Sequence, residues 1–460
     1  MPILDREELF ASLSHLHKSP EQYGLITAIC AVVILLPELL EPRPDNHVFD
    51  LSEALSSEFF VQETLRARQY WHYIENPSLA SVQTSFFLFA ALFYDDKDLS
   101  GWFYLREASA LLQAQNLHLE TTYDSLQDEK YATNCRHTFW LLFITERAYA
   151  LQRNRSLTLK GTINLPTVSP GPEATILHGF LDLVSLFQNF DDTFLSIWNL
   201  SATNAPVLPE RLIHLQKVLG LALPEVSRRT AIQQADLLVT RQWLKTMVWQ
   251  LCVTKRLLSS ATTNECMSFR YPIVIARDVA VISRLLPPEA FEAHGLGILE
   301  KFCDIGCSLA DVLLLRANSM PLPSRREIGP RDYLMELVRI SGTVLGGNSK
   351  YLGMLAMKAN ECLQPSRTRE LYVSSRENPR IVEVQNDSNK DNEVFDYDSN
   401  EALPFSLHVP QPADDLQDDS IIADQSVIMH PSRLTQEDPS YWTESMGGGR
   451  KFNVSFSTVE

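Results

Sequence analysis

The stretch Cys135–Pro166, CRHTFWLLFITERAYALQRNRSLTLKGTINLP, decides the fold. From Phe139 to Ile144 it is apolar on every side, and a helix of that kind belongs inside a large helical body. Two charges, Glu146 and Arg147, ride on the same helix. An unpartnered buried charge costs several kcal/mol, so this pair is expected to fix the position of neighbouring elements. The basic run Arg153, Asn154, Arg155 closes the helix, where cations suit the negative end of its dipole. A short extended segment then ends in Leu165-Pro166, because the residue before a proline is pushed out of the helical region.

Working outward, the remaining patterns are also helical. An amphipathic helix is expected over Asp5 to Lys18, and Ser19-Pro20-Glu21-Gln22 supplies the next start, with Ser19 as N-cap and Gln22 closing a capping box. That second helix carries Tyr23, Leu25, Ala28, Ile29, Cys30 and Ala31 and is expected to kink or end at Pro37. Longer patterns run from Leu51 to Glu75, through SLASVQTSFFLFAALFY, and from Leu99 to His118. Downstream, helical periodicity resumes over Ala174–Trp198, Leu208–Leu223, Arg228–Leu258, Ile273–Leu286, Gly297–Arg316, Tyr333–Leu345 and Tyr351–Leu363. No strand-period stretch of convincing length and no fixed repeat occurs. The expected fold class is all-α: one large multi-helix domain over residues 1–365, followed by a tail over 366–460.

Composition supports that division. Only 17 of 460 residues are glycine while 45% are hydrophobic, which suits a helical body better than a turn-rich sheet protein. The net charge of −17 argues against direct DNA contact by this chain, since stand-alone DNA-binding domains are basic. Seven cysteines, an odd number scattered through apolar segments, predict reduced intracellular thiols. MPILDREELF lacks the pattern of a secretory signal, and the longest apolar run, Gly24–Leu36, is too short to span a bilayer. No membrane association is therefore expected. Beyond Gln364 the chain turns acidic, from Asp387 to Asp424, with Phe395, Tyr397, Phe405 and Leu407 interleaved. Such a mixture is expected to be disordered, and it has the composition of activation segments as well as of plain solvated tails.

Several separated motifs resemble one family. The order basic residue, Phe139-Trp140, Leu142-Phe143, Glu146-Arg147, Ala150-Leu151, Arg153-x-Arg155, Ile163-x-Leu165-Pro166 is similar to the middle homology region of fungal zinc-cluster transcription factors, most of all to activators of amylase and maltose-utilisation genes. Asn76-Pro77-Ser78-Leu79, Val82-Gln83-Thr84 and Trp102-Phe103-Tyr104-Leu105-Arg106-Glu107-Ala108 extend the resemblance, which covers Ser19 to Pro166 closely. Two departures stand out: Cys135-Arg136-His137 where consecutive basic residues are usual, and Ser156 where proline is usual. The resemblance implies a pathway-specific transcriptional regulator acting in the nucleus on sugar or starch genes or on a secondary-metabolite cluster. It implies co-activators or the transcription machinery as partners, and a homodimer or a full-length family member as a further one. It makes Arg136, Phe139, Trp140, Glu146, Arg147, Arg153 and Arg155 the signature residues, structural or lining an anionic or sugar-like ligand. No Cys-x-x-Cys occurs anywhere, so the six-cysteine zinc module is not in this sequence. No cofactor is expected, zinc entering only if such a module precedes Met1.

Other chemistries find little support. Cys303 and Cys307 lie four apart among apolar residues without further ligands nearby and read as core thiols, so no metal site is expected. Asp414-Asp415-Leu416-Gln417-Asp418 spells the magnesium–diphosphate motif of helical terpene synthases, but Pro410 and Pro412 precede it and no second metal motif faces it. Metalloprotease, nucleophile-elbow and P-loop patterns are absent. No catalytic residue is assigned, and the chain is expected not to be an enzyme. The competing reading is a helical interaction protein that modulates full-length regulators, which an apolar face exposed on Asp5 to Lys18 would favour.

Overall fold

Side-chain caps set where several of the helices begin. In the computed structural model, residues 3–36, 56–171, 173–199, 209–259, 262, 264–315, 328–344 and 349–363 are described, and among them every regular element is a helix. The Asp5 carboxylate accepts the amides of Glu7 and Glu8 and starts α1 (Arg6–Leu13). This helix does not run on to Lys18, as its pattern suggested. The Ser12 and Ser14 hydroxyls bond back to the carbonyls of Leu9 and Ala11, and a separate 3-10 turn covers Leu16–Lys18. Ser19 accepts the Gln22 amide at 3.2 Å to start α2 (Pro20–Val33), forming one half of the expected box.

The next helix, α3 (Ser57–Arg68), is shorter than the Leu51–Glu75 pattern, of which residues 51–55 lie outside the described part. It stops because the aromatic run after it is used for packing. Trp71 lies so close to Gly24 that a Cβ there would sit 3.1 Å from the indole, and Tyr73 lies 4.5 Å under the buried Arg68 guanidinium. A reciprocal Ser78–Ser81 box launches α4 (Leu79–Tyr94), which is buried nearly all round, and α5 (Asp98–Ala114) packs along it. Arg68 of α3 reaches Glu107 of α5 and Ser85 of α4, so the three helices share one polar tie.

Then follow α6 (Glu120–Ser125) and α7 (Glu129–Arg153), the latter ending at Asn154 in the left-handed region, φ 56°. The pattern over Ala174–Trp198 is two helices, α8 (Ala174–Phe187) and α9 (Asp192–Trp198), because Asp191 captures the Phe194 amide at 2.8 Å and restarts the chain. The remainder is α10 (Pro209–Leu221), α11 (Ala231–Thr254), α12 (Tyr271–Leu285), α13 (Glu289–Glu292), α14 (Gly295–Leu315), α15 (Pro330–Thr343) and α16 (Lys350–Leu363).

Two groups of helices result. Helices α2 to α5 pack mainly on one another, and α11, α12 and α14 to α16 form the second group around the buried Trp243 and Trp249. Gly295 joins them: at φ 51° it admits Tyr94, whose hydroxyl donates to the His294 carbonyl at 3.2 Å, and a Cβ there would lie 2.6 Å from that hydroxyl. The seven cysteines are free thiols, with Cys303 and Cys307 buried and their sulfurs 3.9 Å apart. Among the described residues no helix is long and apolar enough to cross a membrane. Pro37, the tail over 366–460 with Phe395, Tyr397, Phe405 and Leu407, and the Asp414–Asp418 motif lie outside the described residues.

Candidate functional site

The extended segment after α7 turns back along that helix as a strap, and the signature side chains hold it. Glu146 is fully buried. Its carboxylate accepts the Thr158 amide at 2.7 Å, the Leu159 amide at 2.9 Å and the Arg106 guanidinium at 3.2 Å. Burial raises its pKa, against those three donors. Arg147 takes the same strap by its other side, donating to the Leu159 carbonyl at 3.1 Å and to the Phe190 carbonyl at 3.0 Å. The two adjacent charges therefore grip both the N–H and the C=O of Leu159.

The far end is held one helical face further back. Trp140 Nε1 donates to the Asn164 carbonyl at 3.0 Å, and Arg136 reaches the same oxygen at 3.3 Å. Arg136 also forms a two-pronged pair with Glu120, which in turn accepts the Asn164 amide at 2.7 Å. That guanidinium holds the Glu120 carboxyl down to about 2. Arg136, Trp140 and Arg147 are spaced four and seven apart, so they line one face of α7, with Glu146 beside them. Gly161 lies over Trp140 and Phe143, where a Cβ would still fit at 3.5 Å. Phe139 is buried in the core, edge-on to Trp140 and stacked on Phe143.

Arg147 was expected to matter through a stranded charge, and the contacts correct that mechanism. Its hydrogen bonds go to backbone carbonyls, so Arg147→Ala leaves Glu146 with its own donors. The expected loss is about 2–4 kcal/mol, from buried carbonyls left without partners. Thermal unfolding of the variant checks it, and an unchanged midpoint would rule it out. Burial lowers the Arg147 pKa to about 10, so it stays charged at neutral pH.

Arg153 does more than sit at a helix end. It is almost wholly buried, with Nε 3.1 Å from Asp98 of α5, and Nη2 2.5 Å from Glu300 of α14 and 2.9 Å from the Tyr351 hydroxyl of α16. Burial opposes its charge, but Glu300, Tyr351 and Asp98 hold its pKa above the usual value. Four helices from both groups thus meet on one guanidinium. Arg155 lies apart from this hub, 5.6 Å over Trp102, which stacks on Tyr149 at 5.4 Å and carries Arg106 5.1 Å away. The structure thus sorts the signature into a strap clamp, a hub and a stacked arginine, with Arg106 shared between Glu146 and the Trp102 ring that carries Arg155.

Residues that the sequence reading left unassigned complete the picture. Arg106, Asp98, Glu300 and Tyr351 all carry the arrangement. On α14, Glu300, Asp304, Ser308 and Asp311 are buried at intervals of four, four and three, a polar stripe on one face of an otherwise apolar helix. That spacing was the available signal. Asp304 accepts Trp243 Nε1 at 2.7 Å, yet burial pushes its carboxyl up to about 7. A raised folded pKa means that the folded chain holds the proton longer, so stability falls as pH rises from about 4 to 7. Asp304→Asn keeps an acceptor for Trp243, and urea unfolding at pH 5 and pH 8 should show a flatter dependence than in the parent. An equal slope in both would refute this assignment.

Known proteins place these observations in context. No family model and no solved structure matches the chain. It is 26% identical over 319 residues to the probable sucrose utilization protein of Candida albicans, covering 68% of this chain and 62% of that protein. It is 23% identical over 323 residues to a maltose fermentation regulatory protein of Saccharomyces cerevisiae, covering 70% and 66% of the two. It is also 23% identical over 208 residues to a respiratory transcription factor of Saccharomyces cerevisiae, covering 45% and 44%. The chain thus spans about two thirds or less of the length of these curated relatives. The chain is thus similar, over up to about 70% of its length, to yeast proteins named for sucrose utilisation, maltose fermentation regulation and respiratory transcription, in keeping with the resemblance its motifs carry.

Proposed function

We propose that this chain is the regulatory body of a pathway-specific transcriptional regulator that controls sugar-utilisation genes in a fungus and acts in the nucleus. The observation that carries the reading is the match over about 70% of the chain to a protein named for sucrose utilisation and to a regulatory protein named for maltose fermentation. In this reading the chain is not an enzyme, needs no cofactor of its own, and makes no direct DNA contact. Co-activators or the transcription machinery are its partners. The strap clamp of Arg136, Trp140, Glu146 and Arg147 and the hub at Arg153 are the framework that lets the two helical groups move or hold as one. Residues 1–365 form the regulatory domain, and 366–460 supply the activation segment around Phe395, Tyr397, Phe405 and Leu407.

A fusion of the chain to an unrelated DNA-binding domain in Saccharomyces cerevisiae tests this. Reporter output should be higher on maltose or sucrose than on glucose. Output that ignores the sugar supplied would overturn the reading. The second reading, a partner of full-length regulators, keeps one specific support: α1 leaves Leu13 47% exposed. Co-purification of the chain with a full-length relative, lost on Leu13→Ser, would favour it.

A further inference from the structure

One amide ties α10, α11 and α12 together. Gln216 of α10 donates to the Lys245 carbonyl of α11 at 2.9 Å, and its oxygen accepts the Tyr271 hydroxyl of α12 at 3.2 Å. From this fixed stretch of α11 two cations project, Arg241 and Lys245, four residues apart and therefore on one helical face. Both are half-buried. Neither forms an ion pair among the described residues. The Arg241 guanidinium makes one hydrogen bond, from Nη1 to the Ala222 carbonyl just past α10, at 3.2 Å. Its Nε is buried without an acceptor, and Lys245 Nζ has no acceptor among the described residues.

This arrangement is costly as it stands. Like charges at a spacing of four repel along a helix. The carboxylate that acts on both is Asp278 of α12, but its oxygens are engaged elsewhere, by Arg277 at 3.2 Å and by Gln242 at 3.4 Å. Burial lowers the pKa of both cations, and Arg241 lowers that of Lys245 further, against the partial relief that Asp278 gives. With Arg277 included, the cluster sets three positive charges against one negative. Such a deficit stands out in a chain with 57 acidic and 40 basic residues, where acids to pair with are plentiful. A ligand that fits must bring about two negative charges and enough oxygens for a planar fork and a point charge together. Phosphate does both: a guanidinium takes two of its oxygens side by side, and an ammonium takes a third. A carboxylate offers one charge and two oxygens.

We propose that the face where α10, α11 and α12 meet binds the phosphate group of a small ligand, free phosphate or a phosphate ester, between Arg241 and Lys245. Isothermal titration of the purified chain with inorganic phosphate, glycerol 3-phosphate and acetate tests it. An ionic strength of about 0.15 M screens attraction beyond about 8 Å, so only a close site registers. Phosphate or its ester should bind saturably, the tighter of the two identifying the source, and acetate at least about tenfold more weakly. Lys245→Met should weaken phosphate binding about tenfold to a hundredfold, the share of one charge-assisted hydrogen bond. Without phosphate the same variant should unfold at an equal or higher temperature, because it relieves repulsion and breaks no bond. A lysine with a structural partner would show the opposite sign. Arg241→Gln, which can still donate to the Ala222 carbonyl, should weaken phosphate comparably and repeats the test should Lys245→Met precipitate. No saturable phosphate binding up to about 20 mM would overturn the proposal. So would acetate binding as tightly as phosphate, phosphate binding that both variants leave intact, or a lower unfolding midpoint for Lys245→Met.

Discussion

Arg153→Met is expected to cost the folded chain roughly 3–5 kcal/mol, because it leaves Glu300 and Asp98 without their shared cation. Glu300 is 2% exposed, so water cannot replace the lost partner. Set against a total stability of about 5–15 kcal/mol for a typical domain, that loss leaves a large unfolded fraction at moderate temperature. Urea unfolding followed by tryptophan fluorescence reads it directly, since Trp102 belongs to α5 of the first helical group and Trp243 to α11 of the second. The double variant Arg153→Met with Glu300→Met should recover part of the loss, because an apolar pair of similar volume removes the stranded charge. Equal midpoints for Arg153→Met and the parent would show that the hub does not tie the helical groups together.

Glu146→Ala is expected to be comparably severe, about 3–5 kcal/mol, since it strips the Thr158 and Leu159 amides and the Arg106 guanidinium at once. Glu146→Gln separates charge from shape. It keeps one acceptor but turns an amide hydrogen toward a strap N–H, for a loss of about 1–3 kcal/mol. The readout specific to the clamp is limited proteolysis. Lys160 is exposed on the strap, so tryptic cleavage there should accelerate in both variants, more in Ala than in Gln. Unchanged cleavage would mean that the strap is held by something other than Glu146.

How far the sequence could be read follows from chain separation. The all-α class, the apolar heart of α7 and the use of Glu146 and Arg147 to fix neighbours are local properties, legible from periodicity and from the cost of a buried charge. The strap was legible only as an extended segment ending at Leu165-Pro166; its turn back along α7 appears first in the hydrogen bonds of Glu146, Arg147 and Trp140. The hub was not legible. Glu300 lies 147 residues from Arg153 and Tyr351 lies 198 away, and no local pattern says which buried acid meets which arginine. Helix ends were misread where side chains compete with the backbone: the serines after α1, the aromatic run after α3 and Asp191 between α8 and α9. The cation pair on α11 escaped notice for a similar reason: its spacing of four is visible, but which acids stand opposite it is settled only in the folded chain.

The most direct test of the central claim is a transcript profile of the encoding organism, with and without this gene, after a shift from glucose to maltose or sucrose. The account predicts that genes for sugar uptake and hydrolysis fail to rise in the deletion strain and recover when the gene is restored. Normal induction of those genes in the deletion strain would contradict it.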